Sequence, residues 1–195
     1  AGFVMVPENR NNPDSRKIRI NYVRFPATGA KPGVPIIYLA GGPGGSGIGT
    51  AKWRRFPLFM ALREFGDVIA LDQRGTGQSE QAAPCVSEQK IKLTESVDDA
   101  TIAARYQLAA QQCLARWQEQ GIDVYGYTTV QNALDIKDLG EQLQAEKFSL
   151  WGISYGSHLA LAALKLFPEH IDKVIIASAE GLDQTVKMPK ATDQY

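Results

Sequence analysis

Residues 151–160 of this 195-residue chain read WGISYGSHLA. Within it, residues 152–156 have the pattern G-x-S-x-G, in which a serine stands on a sharp turn between a strand and a helix. The apolar residues FSLW precede the turn and an apolar helical segment follows it, which is the context that the pattern requires. The sequence therefore predicts an exposed, nucleophilic Ser154. A purely structural strand–helix turn is the alternative.

Strand-like and helix-like patterns alternate along the rest of the chain. The predicted strands cover residues 2–6, 17–25, 34–39, 67–71, 148–151 and 173–177. The predicted helices cover residues 52–64, with a break or kink at Pro57, and residues 98–120, 129–145 and 155–167. Two early strands followed by strand–helix units predict an α/β fold with a mostly parallel sheet and helices on both faces.

Two of these helices carry apolar residues at helical spacing, so each is expected to bury one face. For the helix over 98–120, the expected buried residues are Ile102, Tyr106, Leu108, Cys113, Leu114 and Trp117. For the helix over 129–145, which Thr129 is expected to cap, they are Val130, Leu134, Ile136, Leu139 and Leu143.

The composition argues against several classes of partner. Lys plus Arg equals Asp plus Glu at 21 each, whereas a nucleic-acid-binding domain usually carries a basic excess. The chain has no apolar run of membrane-spanning length, and its first residues lack a basic start followed by an apolar stretch, so neither a membrane segment nor a signal peptide is predicted. A mature secreted protein would look the same. No His, Cys or Glu cluster has metal-ligand spacing, so we expect no metal and no organic cofactor.

The two cysteines, Cys85 and Cys113, lie 28 positions apart. A disulfide would require an oxidising compartment, whereas two buried free thiols would suit a reducing one. The residue count alone leaves both interpretations open.

Three glycine-rich loops, at residues 40–49, 72–79 and 152–156, follow predicted strands, and chemistry in parallel sheets lies at such strand ends. The first contains GGPGGSG at 41–47, which lacks the lysine spacing of a phosphate-binding P-loop. An oxyanion hole is the other interpretation, with backbone N–H groups from two loops holding the negative oxygen of acyl transfer. Its donors would be Tyr155 and Gly42, with Gly41 as the second choice for the glycine loop.

The loop LDQRGTGQS at 71–79 is polar and tightly turned. We expect Asp72 and Arg74 to bond neighbouring backbone groups and thereby support the other two loops. Arg74 as a clamp for a substrate carboxylate is the alternative.

In this order and spacing, GGPGGSG, LDQRGTGQS and GISYGS resemble the α/β-hydrolase superfamily and, more closely, proline iminopeptidase and tripeptidyl aminopeptidase-like serine peptidases. The segments VPENR and YTTVQNALDIKDL add to this resemblance, which covers nearly the whole chain. Ala40 departs from the histidine that often begins the family's glycine loop. The resemblance implies an α/β-hydrolase fold, a peptide substrate cleaved near its N-terminus, and an acyl-enzyme on Ser154 with no cofactor.

Members of this family continue past the strand that corresponds to 173–177 with a helical cap and further strands that carry the catalytic aspartate and histidine. The resemblance therefore implies that residues 1–195 are the N-terminal part of one α/β-hydrolase domain, with the base beyond Tyr195 and the remaining C-terminal part as a partner. By itself this piece is expected to be inactive. His158, one helical turn after the serine, is the alternative base, whereas His170 is expected at the surface. Glu180 and Asp183 follow the last strand, where some hydrolases place their acid.

Relatives with cysteines near these positions are secreted, so the resemblance implies a Cys85–Cys113 disulfide and a secreted or periplasmic protein. Two other functions stay open. The same scaffold and serine would serve an esterase or lipase, and a fragment that has lost its chemistry would keep the fold alone.

Overall fold

The computed structural model describes residues 1–53, 55–91 and 94–183. Its strands are β1 (Gly2–Pro7), β2 (Lys17–Phe25), β3 (Ile36–Leu39), β4 (Val68–Leu71), β5 (Phe148–Ile153) and β6 (Ile171–Ala177). Its α-helices are α1 (Gly47–Ala51), α2 (Phe56–Leu62), α3 (Asp99–Glu119), α4 (Thr129–Gln142) and α5 (Tyr155–Leu166). Two short 3-10 helices cover Val124–Gly126 and Pro168–His170. Each predicted strand is present, with ends that differ from the prediction by two residues or fewer.

The six strands form one sheet in the order β1-β2-β4-β3-β5-β6. The pairs β1–β2 and β2–β4 are antiparallel, whereas β4, β3, β5 and β6 run parallel to one another. The carboxyl ends of these four strands therefore lie along one edge of the sheet, where the loops after β3, β4 and β5 meet. This arrangement confirms the predicted mostly parallel α/β architecture.

Helices cover both faces of the sheet. Alternate residues of β3 belong to different apolar clusters, because successive side chains of a strand point to opposite faces. Ile37 and Leu39 pack in the cluster that contains α4 and α5, and Tyr38 packs in the cluster that contains α1 and α2. In the second cluster the Phe59 ring lies 5.1 Å from that of Tyr38 and 5.2 Å from that of Trp151.

The predicted helix over 52–64 is too long at both ends, because only α2, over Phe56–Leu62, lies within this range. A separate helix, α1, ends just before it at Ala51. α1 begins earlier, after Ser46, whose hydroxyl accepts a hydrogen bond from the Gly49 N–H and caps the helix. Pro57 is the second residue of α2, a position at which proline has no helical hydrogen bond to lose.

The predicted buried face of α3 is also wrong, because α3 has no buried residue. The Tyr106 side chain is 69% exposed, and Leu108 is exposed as well. The helix contacts the preceding loop rather than the sheet: the Trp117 indole donates to the Ala83 carbonyl, and Arg105 pairs with Glu95. Neither α3 nor any other helix in the described ranges combines the length and apolar character needed to cross a bilayer.

The inward face predicted for α4 is largely present, with Ile136 and Leu139 fully buried. Val130 is the exception, since half of its surface is exposed in the first turn of the helix. The cap is Thr128 rather than Thr129: the Thr128 hydroxyl accepts a hydrogen bond from the Gln131 N–H.

The expected disulfide between Cys85 and Cys113 is present. It joins the loop before α3 to the middle of that helix, across 28 positions of sequence. In the chain-entropy description, a loop of this length stabilises the folded state by about 3–4 kcal/mol.

A buried carboxylate, Glu8, joins the turn after β1 to the segment before α4. It accepts hydrogen bonds from the Arg16 guanidinium at 2.6 Å, the Tyr127 hydroxyl at 2.8 Å and the Asp123 N–H at 3.0 Å. Burial by itself would raise the pKa of Glu8, but these hydrogen bonds outweigh it and leave the pKa below its usual value. Burial and the Glu8 carboxylate together raise the pKa of Tyr127.

We predict that Glu8→Gln destabilises the full-length protein in a pH-dependent way. Because the pKa of Glu8 is lowered by folding, its ionised form stabilises the protein above the pKa of the unfolded chain, and this contribution disappears as pH falls through the folded-state pKa. We expect a loss of about 1.5–3 kcal/mol at pH 7. The difference from the unmodified protein should shrink below about pH 4. Urea unfolding at pH 7 and below about pH 4 measures the loss of stability at each pH. Glu119→Gln, at the exposed end of α3, is the control. A difference that does not change with pH would contradict this assignment.

Candidate active site

Ser154 lies on a sharp turn between β5 and α5. Its φ angle is 54°, in the left-handed region that non-glycine residues rarely adopt, which is the strain expected for a serine at such a turn. Two residues later, a Cβ added to Gly156 would lie only 2.0 Å from the Leu39 carbonyl oxygen. Glycine is therefore required where α5 crosses the end of β3.

The glycine loop after β3 lies directly against this turn. A Cβ added to Gly41 would lie 2.8 Å from the Ser154 Cβ and 3.3 Å from the Ser154 Oγ. Gly42 follows with φ of 126°, and the Gly45 N–H closes the loop on the Gly41 carbonyl at 3.0 Å. Tyr155, whose N–H is the other predicted oxyanion donor, is the first residue of α5. The fold thus brings together the two segments that the sequence assigns to the oxyanion hole.

Asp72, immediately after β4, is fully buried and holds the glycine loop from the other side. Its Oδ1 accepts from the Ser46 hydroxyl at 2.7 Å and from the Ile48 N–H at 3.0 Å, and its Oδ2 accepts from the Gln78 N–H at 2.7 Å. One carboxylate therefore fixes the start of α1 and the turn after β4 together.

Arg74 is buried and contacts three separate parts of the chain. Its guanidinium forms a bidentate ion pair with Asp135 of α4, at 2.7 and 2.6 Å. The same group donates to the carbonyls of Glu8 at 2.6 Å and Gly126 at 2.5 Å. Arg10 also pairs with Asp135, at 2.8 Å. Burial raises the pKa of the Asp135 carboxyl, and the two guanidinium groups oppose that shift.

The hydroxyl of Ser154 donates to the Glu180 carboxylate at 2.9 Å. Glu180 lies just after β6, and its own N–H donates to the Ser157 hydroxyl at 2.8 Å. Ser157 in turn donates to the Ser154 carbonyl at 2.6 Å. The sequence indicates Glu180 only as an acidic residue after the last strand, because nothing local predicts a contact across 26 positions.

The two histidines have other partners. The His158 Nδ1 lies 2.9 Å from the Gly181 carbonyl, and the ring stacks on Tyr155 with centroids 5.8 Å apart. The His170 Nδ1 lies 3.1 Å from the Glu146 carbonyl, at the start of β6 and thus at the opposite edge of the sheet. Among the described residues, no group of three or more His, Cys, Asp or Glu side chains could hold a metal ion.

Comparisons with known proteins agree with this architecture. Residues 34–195 match a family model described as alpha/beta hydrolase fold. The chain is 28% identical over 193 residues to a tripeptidyl aminopeptidase of Streptomyces lividans, which covers 91% of this chain and 35% of that protein. It is 28% identical over 187 residues to the serine protease Hip1 of Mycobacterium bovis, which covers 92% and 35% respectively. The chain thus spans about a third of the length of these curated relatives.

A solved structure shows the same fold at lower identity. A thermophilic esterase from Thermogutta terrifontis superimposes with a TM-score of 0.57 and is 17% identical. The match covers 100% of this chain and 50% of that one.

We predict that Arg74→Leu lowers the free energy of unfolding by about 3–5 kcal/mol, because it removes one partner of a buried ion pair. Arg24→Leu is the matched control, since Arg24 pairs with Asp67 at the surface. We expect Arg24→Leu to lower the free energy of unfolding by less than about 1 kcal/mol. Chemical denaturation of the full-length variants measures both. An Arg74→Leu protein as stable as the unmodified one, but weaker in binding peptides, would favour the substrate-clamp interpretation instead.

Proposed function

Because this chain belongs to the alpha/beta hydrolase family, we propose that it forms the nucleophile-bearing part of a serine peptidase that cleaves peptide bonds near the N-terminus of its substrate. One observation carries this proposal: Ser154 stands on a left-handed turn with the Gly41 backbone packed against its side chain. The names of two relatives, a tripeptidyl aminopeptidase and a serine protease, favour a peptide over other acyl substrates.

In the proposed reaction, the Ser154 Oγ attacks the carbonyl carbon of the scissile peptide bond, and its proton passes to a base. The backbone N–H groups of Tyr155 and Gly42 hold the negative oxygen, with Gly41 as the second choice for the glycine loop. The same proton is given to the amine, which leaves, and an acyl-enzyme on Ser154 remains. Water then hydrolyses this ester and releases the acyl group. No step in this sequence uses a cofactor.

We assign the base and its acid to a histidine and an aspartate encoded beyond Tyr195. The chain contains only two histidines. His158 and His170 both contact backbone carbonyls in the described residues, whereas the Ser154 hydroxyl bonds Glu180. The curated relatives are about three times as long as the matched region, which leaves room for such residues.

The partner in this proposal is the remaining C-terminal part of the hydrolase. β6 is one of the two edge strands of the described sheet, and Ile175 on it is 57% exposed. Beside it, a groove of about 640 Å³ is lined by apolar side chains that include Leu58, Phe65 and Trp151. An uncovered apolar edge of this kind promotes aggregation, so further strands and a helix from the same protein would suit it.

We place the protein outside the cytoplasm, as a secreted or periplasmic enzyme. The Cys85–Cys113 disulfide supports this location, because such bonds persist in oxidising compartments. The balanced charge of the chain supports a peptide rather than a nucleic acid as the substrate.

We predict that the full-length protein reacts with a fluorophosphonate probe and that Ser154→Ala abolishes both this labelling and substrate turnover. Loss of a serine nucleophile reduces kcat by roughly 10⁶-fold in a related mechanism. Ser87→Ala, in the loop before α3, is the matched control and should label like the unmodified protein. Mass spectrometry of the labelled protein identifies the modified residue.

Turnover of three substrate types then separates the candidate activities. Faster release from aminoacyl or tripeptidyl anilides than from short acyl esters supports the peptidase, and the reverse result supports an esterase on the same scaffold. Labelling of the unmodified full-length protein as slow as that of Ser154→Ala would refute both and leave a non-catalytic fold.

A further inference from the structure

Two buried amide side chains connect α4 to the glycine loop. The Gln73 Nε2 donates to the Ala40 carbonyl at 2.9 Å, and the Asn132 Nδ2 donates to the Gln73 Oε1 at 3.2 Å. Ala40 is the residue between the end of β3 and Gly41. The Ala40 carbonyl follows the last residue of β3, and it accepts a hydrogen bond from the Gln73 amide.

The orientation of both amides follows from this chain of bonds. A backbone carbonyl can only accept, so Gln73 must present its NH₂ group to Ala40 and its oxygen to Asn132. Asn132 must therefore present its own NH₂ group to Gln73. Its Oδ1 is then left buried with no partner among the described residues, although the whole side chain is only 6% exposed.

The unpartnered oxygen belongs to a side chain that lines a cavity of about 110 Å³ beside the glycine loop, together with Pro43, Gly44 and Tyr155. An unpaired buried acceptor is unfavourable compared with an apolar side chain of the same shape. Among the described residues, the hydrogen bond that the Asn132 side chain makes is the one to Gln73.

The first turn of α4, which contains Asn132, also contacts Tyr155, the residue after Ser154. The Thr129 hydroxyl lies 3.1 Å from the Tyr155 hydroxyl, within hydrogen-bond distance. The first turn of α4 is itself fixed by the Thr128 cap. One helical turn therefore touches both segments that carry the proposed oxyanion donors, directly at Tyr155 and through Gln73 at Ala40.

We propose that Gln73, held in place by Asn132, is a positioning residue that sets where the Gly41 and Gly42 amides stand relative to Ser154. This inference rests on the proposed function. Gln73 acts through the backbone of Ala40 and touches no substrate. The hydrogen bond from Gln73 to Ala40 matters because oxyanion donors must lie within 2.7–3.1 Å of the developing charge. A displacement of about 1 Å in such a site costs roughly 100-fold in rate.

The test compares Gln73→Met with the unmodified full-length protein, since methionine has a similar length but no amide. We expect kcat on the best anilide or ester substrate to fall at least about tenfold, with KM within about twofold, because the loss falls on the transition state. Asn132→Leu should act in the same direction. The double variant should lose no more than the stronger single variant, because the two residues act through one chain of bonds.

Gln142→Met is the matched control, because the Gln142 Nε2 also donates to a backbone carbonyl, that of Phe3, at 2.8 Å. It lies at the far end of α4, and its loss should leave kcat unchanged. If Gln73→Met does not fold, Asn132→Leu is the deciding variant, because it keeps the Gln73 amide but removes the hydrogen bond that holds this amide in place. A fall in kcat then supports the inference, and an unchanged kcat overturns it.

Hydrogen–deuterium exchange of the peptide that covers 40–47 gives a readout that does not depend on activity. We expect faster exchange in Gln73→Met and no change in Gln142→Met. An unchanged kcat in an active protein, or a kcat loss matched by an equal loss in Gln142→Met, overturns the positioning role. If the unmodified protein shows no Ser154-dependent turnover, the proposed function fails. The hydrogen–deuterium exchange result then decides alone whether Gln73 holds the glycine loop. Unchanged exchange in Gln73→Met overturns the inference.

Discussion

The close approach of three backbone segments is the constraint on which the candidate site depends. The end of β3, the end of β5 and the start of α5 come so near one another that no side chain fits at Gly156, where a Cβ would lie 2.0 Å from the Leu39 carbonyl. This contact brings the strained Ser154 turn beside the glycine loop. A wider separation at this point would move the Ser154 side chain away from the Gly41 backbone.

Buried charged side chains join α4, the turn after β1 and the loop after β4. Arg74 pairs with Asp135 of α4 and also binds the Glu8 carbonyl, while the Glu8 carboxylate receives donors from three other residues. A buried ion pair is costly to desolvate, so it adds less to net stability than its geometry suggests. Its effect here is specific: it fixes α4 relative to β1 and to the loop after β4, and α4 in turn contacts Tyr155 and Gln73.

The sequence was a good guide where one local pattern determines the structure. Buried parallel strands such as β4 are short apolar runs, and the Ser154 turn has its own pattern, so both could be predicted. The face of α3 could not, because its apolar spacing suits either a sheet or a covering loop, and the disulfide at Cys113 fixes it to the loop. The contacts Ser154–Glu180 and Gln73–Asn132 join residues far apart in the chain, and only the completed sheet brings them together.

The bond from Ser154 to Glu180 has a consequence for the order of events in the proposed reaction. A hydroxyl has a single proton, so Ser154 cannot donate to Glu180 and to an imidazole at the same time. Any base that reaches this serine meets an oxygen whose hydrogen already points elsewhere, and a rotation about the Cβ–Oγ bond must come before proton transfer. The segment after β6 thereby sets the resting orientation of the Ser154 hydroxyl.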